Sequence, residues 1–133
     1  KWDHPLTTYM RNRIEAANAD SATGLAIKED GLDGLDAGDQ AMFESVDFGV
    51  PGQTVKSFAA NFVGRGHQGR IEVWVDDKVR IGAMNVAGAT KVNGGERRTT
   101  MAVDAASLSG PHRVTLKIVA GKDVGRMTAL ELR

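Results

Sequence analysis

Residues 70–76 alternate without a break: Ile71, Val73 and Val75 fall on one side of an extended chain, Glu72 and Trp74 on the other. The same period of two sets Val114, Leu116 and Ile118 against Arg113, Thr115 and Lys117. It also puts Phe58, Ala60 and Phe62 opposite Ala59 and Asn61. Successive side chains of a strand point to opposite faces, so these runs describe strands with one face buried, the habit of antiparallel sheets. Turn signals separate them: Pro51-Gly52, residues 64–69, Asp76-Asp77, Gly94-Gly95, Gly110-Pro111 and Gly121. Strands about ten residues apart are the spacing of a sandwich or barrel. The one rival segment, residues 10–20, offers Ile14, Ala16 and Ala17 to a helix but has no sustained apolar stripe. The expected class is all-β, two antiparallel sheets face to face.

A chain of 133 residues has room for one such domain. Residues 1–12 fit no pattern that continues, and no initiator Met opens them. They read as a linker or docking arm on a segment cut from something longer, with the sandwich over residues 13–133. Seventeen basic residues balance seventeen acidic ones, which argues against a nucleic-acid binder that must neutralise phosphates. No apolar run reaches the roughly 18 residues of a membrane span, and the start does not resemble a signal peptide. The absence of Cys excludes disulfides, a thiol nucleophile and thiolate metal sites.

Catalytic patterns are missing. His4, His67 and His112 lie in separate segments without metal-ligand spacing; His112 opens a strand and reads as structural. The GxGxxG match at residues 64–69 precedes a strand, whereas a dinucleotide loop opens a helix, so a hairpin loop is expected there. Asp30, Asp33, Asp36 and Asp39 recur every three residues in a Gly-rich stretch, which suits either a calcium loop or a solvated acidic turn. A small hydrolase in its own right is the least favoured class, because a small sandwich offers only shallow clefts for paired carboxylates.

Six segments in order resemble the family 6 carbohydrate-binding modules. Ile14-Glu15-Ala16-Ala17 is similar to their "IEAE" opening, and residues 34–40 (GLDAGDQ) to "GYIDNGDW". Val46-Asp47-Phe48-Gly49 matches "VDFG", residues 69–76 (GRIEVWVD) resemble "GGxIEIRLD", residues 93–100 (NGGERRTT) fall at "TGGWQTWTT", and residues 110–116 (GPHRVTL) resemble "GVHDLYL". The resemblance covers about residues 13–132 and implies a jelly-roll β-sandwich that binds sugars through aromatic stacking and hydroxyl hydrogen bonds.

It also implies where binding would occur. The loop-end cleft would involve Leu35, Asp39, Glu96, Arg97 and Arg126; Leu35, Glu96 and Arg126 stand where the family keeps Tyr, Trp and Asn. Glu96, Arg97, Arg98, Lys91 and Arg126 would form a charged rim suited to an anionic or heavily hydroxylated glycan. The second site, one sheet's concave face, would involve Glu72 and Trp74, with Gln40 where the family has the Trp of "GDW". A structural calcium ion would sit near Glu15 and Thr128, with Ala17 and Thr128 replacing two acidic ligands and Asn18 or Asp20 able to compensate. No cofactor is required.

The expected function is a non-catalytic module of a secreted or periplasmic bacterial glycoside hydrolase, a monomer as an isolated domain. It would bind a plant or algal polysaccharide or oligosaccharide, with the parent catalytic domain in the same chain and no nucleic-acid or membrane partner. The alternative is a structural accessory domain packed on a catalytic domain, with no glycan binding. Aromatics are only 5% of the chain, so its two Trp are the sole large stacking platforms.

Overall fold

The computed structural model describes residues 13–50, 55–64, 67–86, 97–102, 108–122 and 124–132, with the backbone alone at 13, 64 and 97–102. Eleven strands form among them: β1 Arg13–Glu15, β2 Ser21–Thr23, β3 Ala26–Lys28, β4 Gly31–Asp33, β5 Gln40–Asp47, β6 Ser57–Gly64, β7 Gly69–Val75, β8 Val79–Val86, β9 Arg97–Ala102, β10 Pro111–Gly121 and β11 Gly125–Leu132. Residues 16–18 form one 3-10 turn in place of the rival helix, while residues 1–12, read as an arm, lie outside the described residues.

All pairings are antiparallel, in two sheets. One runs β2-β5-β10-β7-β8; the other runs β3-β4-β11-β6-β9, with β1 also on β11. The alternating apolar residues meet between them. Ile71, Val73, Val75, Val114, Leu116 and Ile118 from the first sheet join Phe58, Ala60, Phe62, Met127, Leu130 and Leu132 from the second in one buried cluster. Within it the rings of Phe48 and Phe58 sit 6.2 Å apart. The all-β sandwich follows from the period of two, because each sheet has one apolar face and the faces can be hidden only against each other.

The loop over residues 64–69 is a correction. It leaves β6 in one sheet and enters β7 in the other, so it crosses the sandwich and does not close a hairpin. Alternation assigns a face to each residue but carries no information on which strand pairs with which. A true hairpin forms at Asp76-Asp77, which joins β7 to β8 with both residues at positive φ, 55° and 57°. Turns with both central residues at positive φ favour Asp, Asn and Gly, and here the Lys78 amide closes the turn on the Val75 carbonyl at 3.0 Å.

Bulges explain the residues that break the pattern. Between Ile118 and Ala120 the β10–β7 register shifts by one, and Val119, the extra residue, is left 43% exposed. A second bulge on β11 sets Thr128 apart between Met127 and Ala129. Thr115 departs in the other direction: it lies on the outward row but is 2% exposed, its hydroxyl donating to Asp77 Oδ1 at 3.1 Å.

Candidate functional site

The outer face of the five-stranded sheet carries what the core alternation leaves over, and the register sets these residues in rows. Gln40 on β5 faces Lys117 on β10, which faces Glu72 on β7. The next row runs Met42, Thr115, Trp74 and Arg80 across β5, β10, β7 and β8. Strands about 4.8 Å apart and a rise of about 3.3 Å per residue put Gln40 about 10 Å from Glu72, and Trp74 about 7 Å farther along β7. The three sheet-face residues expected from the sequence thus share one surface.

Trp74 is half-buried and tethered. Its indole Nε1 donates to Glu72 Oε1 at 3.0 Å, and the Lys117 ammonium lies 4.5 Å from the ring centroid. Arg80 Nη1 donates to Glu72 Oε2 at 2.9 Å, so both carboxylate oxygens are engaged. These two bonds, the indole first, hold the Glu72 carboxyl below its ordinary value of 4.5 and keep it charged. Arg70 continues the row along β7 and bonds Asn85 Oδ1 at 3.1 Å. Lys117 and Arg80 are the part of this site the sequence reading did not single out. Alternation placed Lys117 outward, but its position over the ring follows only from β10 pairing with β7.

At one end of this face a polar cluster locks the β7–β8 turn to β10. Arg113 donates from Nε to Glu44 Oε1 at 3.1 Å and from Nη1 to Asp77 Oδ2 at 3.0 Å. Asp76 Oδ2 is 2.9 Å from His112 Nδ1, and its Oδ1 accepts the Arg113 amide at 3.2 Å. His112 also lies edge-on to Phe48, 5.6 Å between centroids, a structural position as expected. The His112 hydrogen bond, then that of the Arg113 amide, holds the Asp76 carboxyl below its ordinary 3.8. A lowered folded value means stability that is present above about pH 4 and lost as pH falls through the folded value. Asp76→Asn, which tolerates the same positive φ, is therefore expected to lower stability at neutral pH and to flatten the loss of stability as pH falls below about 4. Urea melts across that range check it; parallel pH profiles for the two proteins would refute it.

The loop-end residues fare differently. Backbone bonds dock residues 35–39 on the β10–β11 turn, among them Val124 N to Leu35 O at 3.0 Å and Ala37 N to Gly121 O at 2.9 Å. That brings Leu35 and Arg126 to the same end of the sandwich. Leu35, however, has no exposed surface and belongs to the core, so as a surface-site residue it is corrected. An apolar side chain at that position gains more from burial than it could offer a sugar. Asp39 turns inward on its own loop, its Oδ2 accepting the Asp36 amide at 3.0 Å. Arg126 pairs with Asp30 at 3.1 Å, while its buried Nε has no hydrogen-bond partner. Arg97 lies on β9, its side chain outside the described set; Glu96 and Lys91 lie outside the described residues altogether.

Few charged ligands are left at the calcium position that the resemblance implies. Thr128 sits in the β11 bulge and its hydroxyl donates to the Asn61 carbonyl at 3.3 Å, leaving Glu15 as the only carboxylate of the expected pair. Calcium takes six to eight oxygens, several of them charged. No cluster of three or more metal-capable side chains occurs among the described residues, the acidic stretch at Asp30–Asp39 included. In that stretch the geometry favours an acidic turn: Asp33 Oδ1 accepts the Gly34 amide at 2.8 Å, and Asp30 pairs with Arg126. A cavity of about 270 Å³ lies beside the 3-10 turn, lined by Ile14, Phe43 and Glu44 and by Asn18 and Asp20, the two residues expected to be able to compensate.

The sequence matches no family model and no curated protein. Solved structures do match. A family 6 carbohydrate-binding module from Clostridium cellulolyticum, in complex with xylose, superposes with a TM-score of 0.74 and 25% identity, over 93% of this chain and 98% of that one. A β-1,3-glucan-binding module of the same family from Bacillus halodurans gives 0.67 and 20% identity, over 93% and 96%. A family 43 arabinoxylan arabinofuranohydrolase from Bacillus subtilis, in complex with cellotetraose, gives 0.74 and 22% identity, over 92% of this chain but only 27% of that one.

Proposed function

We propose that this chain, which has the fold of the family 6 carbohydrate-binding modules, is a non-catalytic carbohydrate-binding module whose sugar site is the outer face of the five-stranded sheet. One observation carries the reading: the register of β5, β10 and β7 gathers the indole of Trp74, the amide of Gln40 and the carboxylate of Glu72 on one outward surface. A pyranose presents a C–H face that packs on an aromatic ring and hydroxyls that bond amides and carboxylates. The loop end supports the same choice, because its one described candidate for a stacking position is the buried Leu35.

A shallow face binds weakly, since desolvating hydroxyls offsets much of each hydrogen bond. Such a module works by tethering: it raises the concentration of a linked catalytic domain, a glycoside hydrolase in the same polypeptide, near its polysaccharide. On this reading the module is secreted or periplasmic, with a polysaccharide or oligosaccharide as its ligand and the chemistry left to the linked catalytic domain.

Affinity electrophoresis in xylan, β-1,3-glucan and mixed-linkage glucan gels tests it. The wild type is expected to be retarded, and Trp74→Ala to lose the retardation, a fall in affinity of about tenfold or more, while its far-ultraviolet spectrum is unchanged. Retardation that survives in Trp74→Ala would move the site elsewhere. The alternative, a structural accessory domain, draws on the bonds that already occupy Trp74, and absence of retardation in every gel would favour it.

A further inference from the structure

Around Trp74 the outer face holds three cations, Arg70, Arg80 and Lys117, against the carboxylate of Glu72 and, at the turn end, that of Asp77, which Arg113 and Thr115 already engage. Two of the cations are matched by neighbours: Arg80 bonds Glu72 and Arg70 bonds Asn85. Lys117 is not. Its cross-strand neighbours are Gln40, which is neutral, and Glu72, whose two oxygens are held by the indole N–H and by Arg80. Among the described residues its ammonium makes no ion pair within 4 Å; Asp77, held by Arg113 and Thr115, attracts it from longer range, and it rests over the Trp74 ring, 4.5 Å from the centroid.

We propose that Lys117 makes this face selective for glycans that bear an acid group, a uronic carboxylate or a sulfate. The inference rests on the sheet-face reading above and deepens it. The ammonium and a stacked sugar compete for the indole. A neutral sugar that takes the covered ring face must push the ammonium into water, losing the cation–π contact and giving only hydroxyls in return. An acid-bearing sugar offers the displaced ammonium a charge-assisted hydrogen bond at the edge of the same ring. Ring and ammonium are then both satisfied by one ligand. Gln40, exposed beside Lys117, is placed to meet a hydroxyl of the same residue or the next, and Arg70 extends the positive row along β7.

The test is isothermal titration calorimetry in 0.15 M salt with oligogalacturonate, a sulfated galactan, xylo-oligosaccharide and β-1,3-gluco-oligosaccharide. The wild type is expected to bind an acidic ligand about tenfold or more tightly than the neutral ones, and the two acidic arms distinguish carboxylate from sulfate. Lys117→Met is expected to abolish the preference: about tenfold weaker on the acidic glycan, unchanged or tighter on the neutral ones, because the ring is uncovered. Lys28→Met makes the same charge change on β3 of the other sheet and is expected to leave the preference intact. Binding of neutral glycans that depends on Trp74 but shows no acid preference would overturn this proposal and leave the binding module standing. An acid preference that survives in Lys117→Met or in Trp74→Ala would overturn it too, as charge attraction from elsewhere. No binding to any ligand would overturn both readings.

Discussion

Leu35→Ala is expected to lower the free energy of unfolding by about 2–5 kcal/mol and to leave glycan binding unchanged. Leu35 has no exposed surface, and its carbonyl receives the Val124 amide that docks the loop on the β10–β11 turn. Removing three carbons there leaves a hole between a loop and a sheet. The loop is held by backbone bonds at Val124, Ala37 and Gly38, so it cannot simply settle into the space. In a domain of this size each kcal/mol moves the melting midpoint by about 4 °C, so a drop of roughly 10–20 °C is expected. Urea melts would show the midpoint falling with an unchanged slope. A stable variant with impaired sugar binding would return Leu35 to the surface site that its sequence position suggests.

Gly31→Ala is expected to cost about 3 kcal/mol or more. Gly31 opens β4 at φ +149°, and a Cβ there would run into the main-chain carbonyl oxygen of Met127. That carbonyl cannot retreat, because Met127 is flanked by Leu32 on β4 and Phe62 on β6. The added methyl can be fitted only by lifting β4 from β11, which exposes the fully buried Leu32. Gly34→Ala is the control: at φ +74° with nothing within 4 Å, it meets the backbone penalty alone, about 1–2 kcal/mol. Thermal melts of the two variants are expected to differ clearly, and equal losses would refute the clash at Met127.

The strands were legible because the core is built from them: each buried aliphatic residue of β7 and β10 is followed by an outward one, and that is visible without coordinates. The sheet-face candidates were legible for the same reason, since Glu72 and Trp74 are the residues that alternation pushes outward. Partnership was not. Nothing local tells that β10 lies between β5 and β7, and so nothing local puts Lys117 over the Trp74 ring. The bulges at Val119 and Thr128 were equally hidden, because one extra residue in a strand looks like any other residue until its partner is known. Leu35 shows a third limit. A sequence position where a related family keeps an aromatic platform does not stay at the surface once the side chain is aliphatic, because burying it is the more favourable outcome.

β1 and β11 pair side by side, with Arg13 opposite Glu131. Any polypeptide that runs into β1 and out of β11 therefore leaves from one corner of the six-stranded sheet. The outer face of the five-stranded sheet lies on the far layer and looks the other way. The two ends of the described chain and that outer face therefore lie on opposite sides of the sandwich, so a linked polypeptide would join the domain away from the face that carries Trp74.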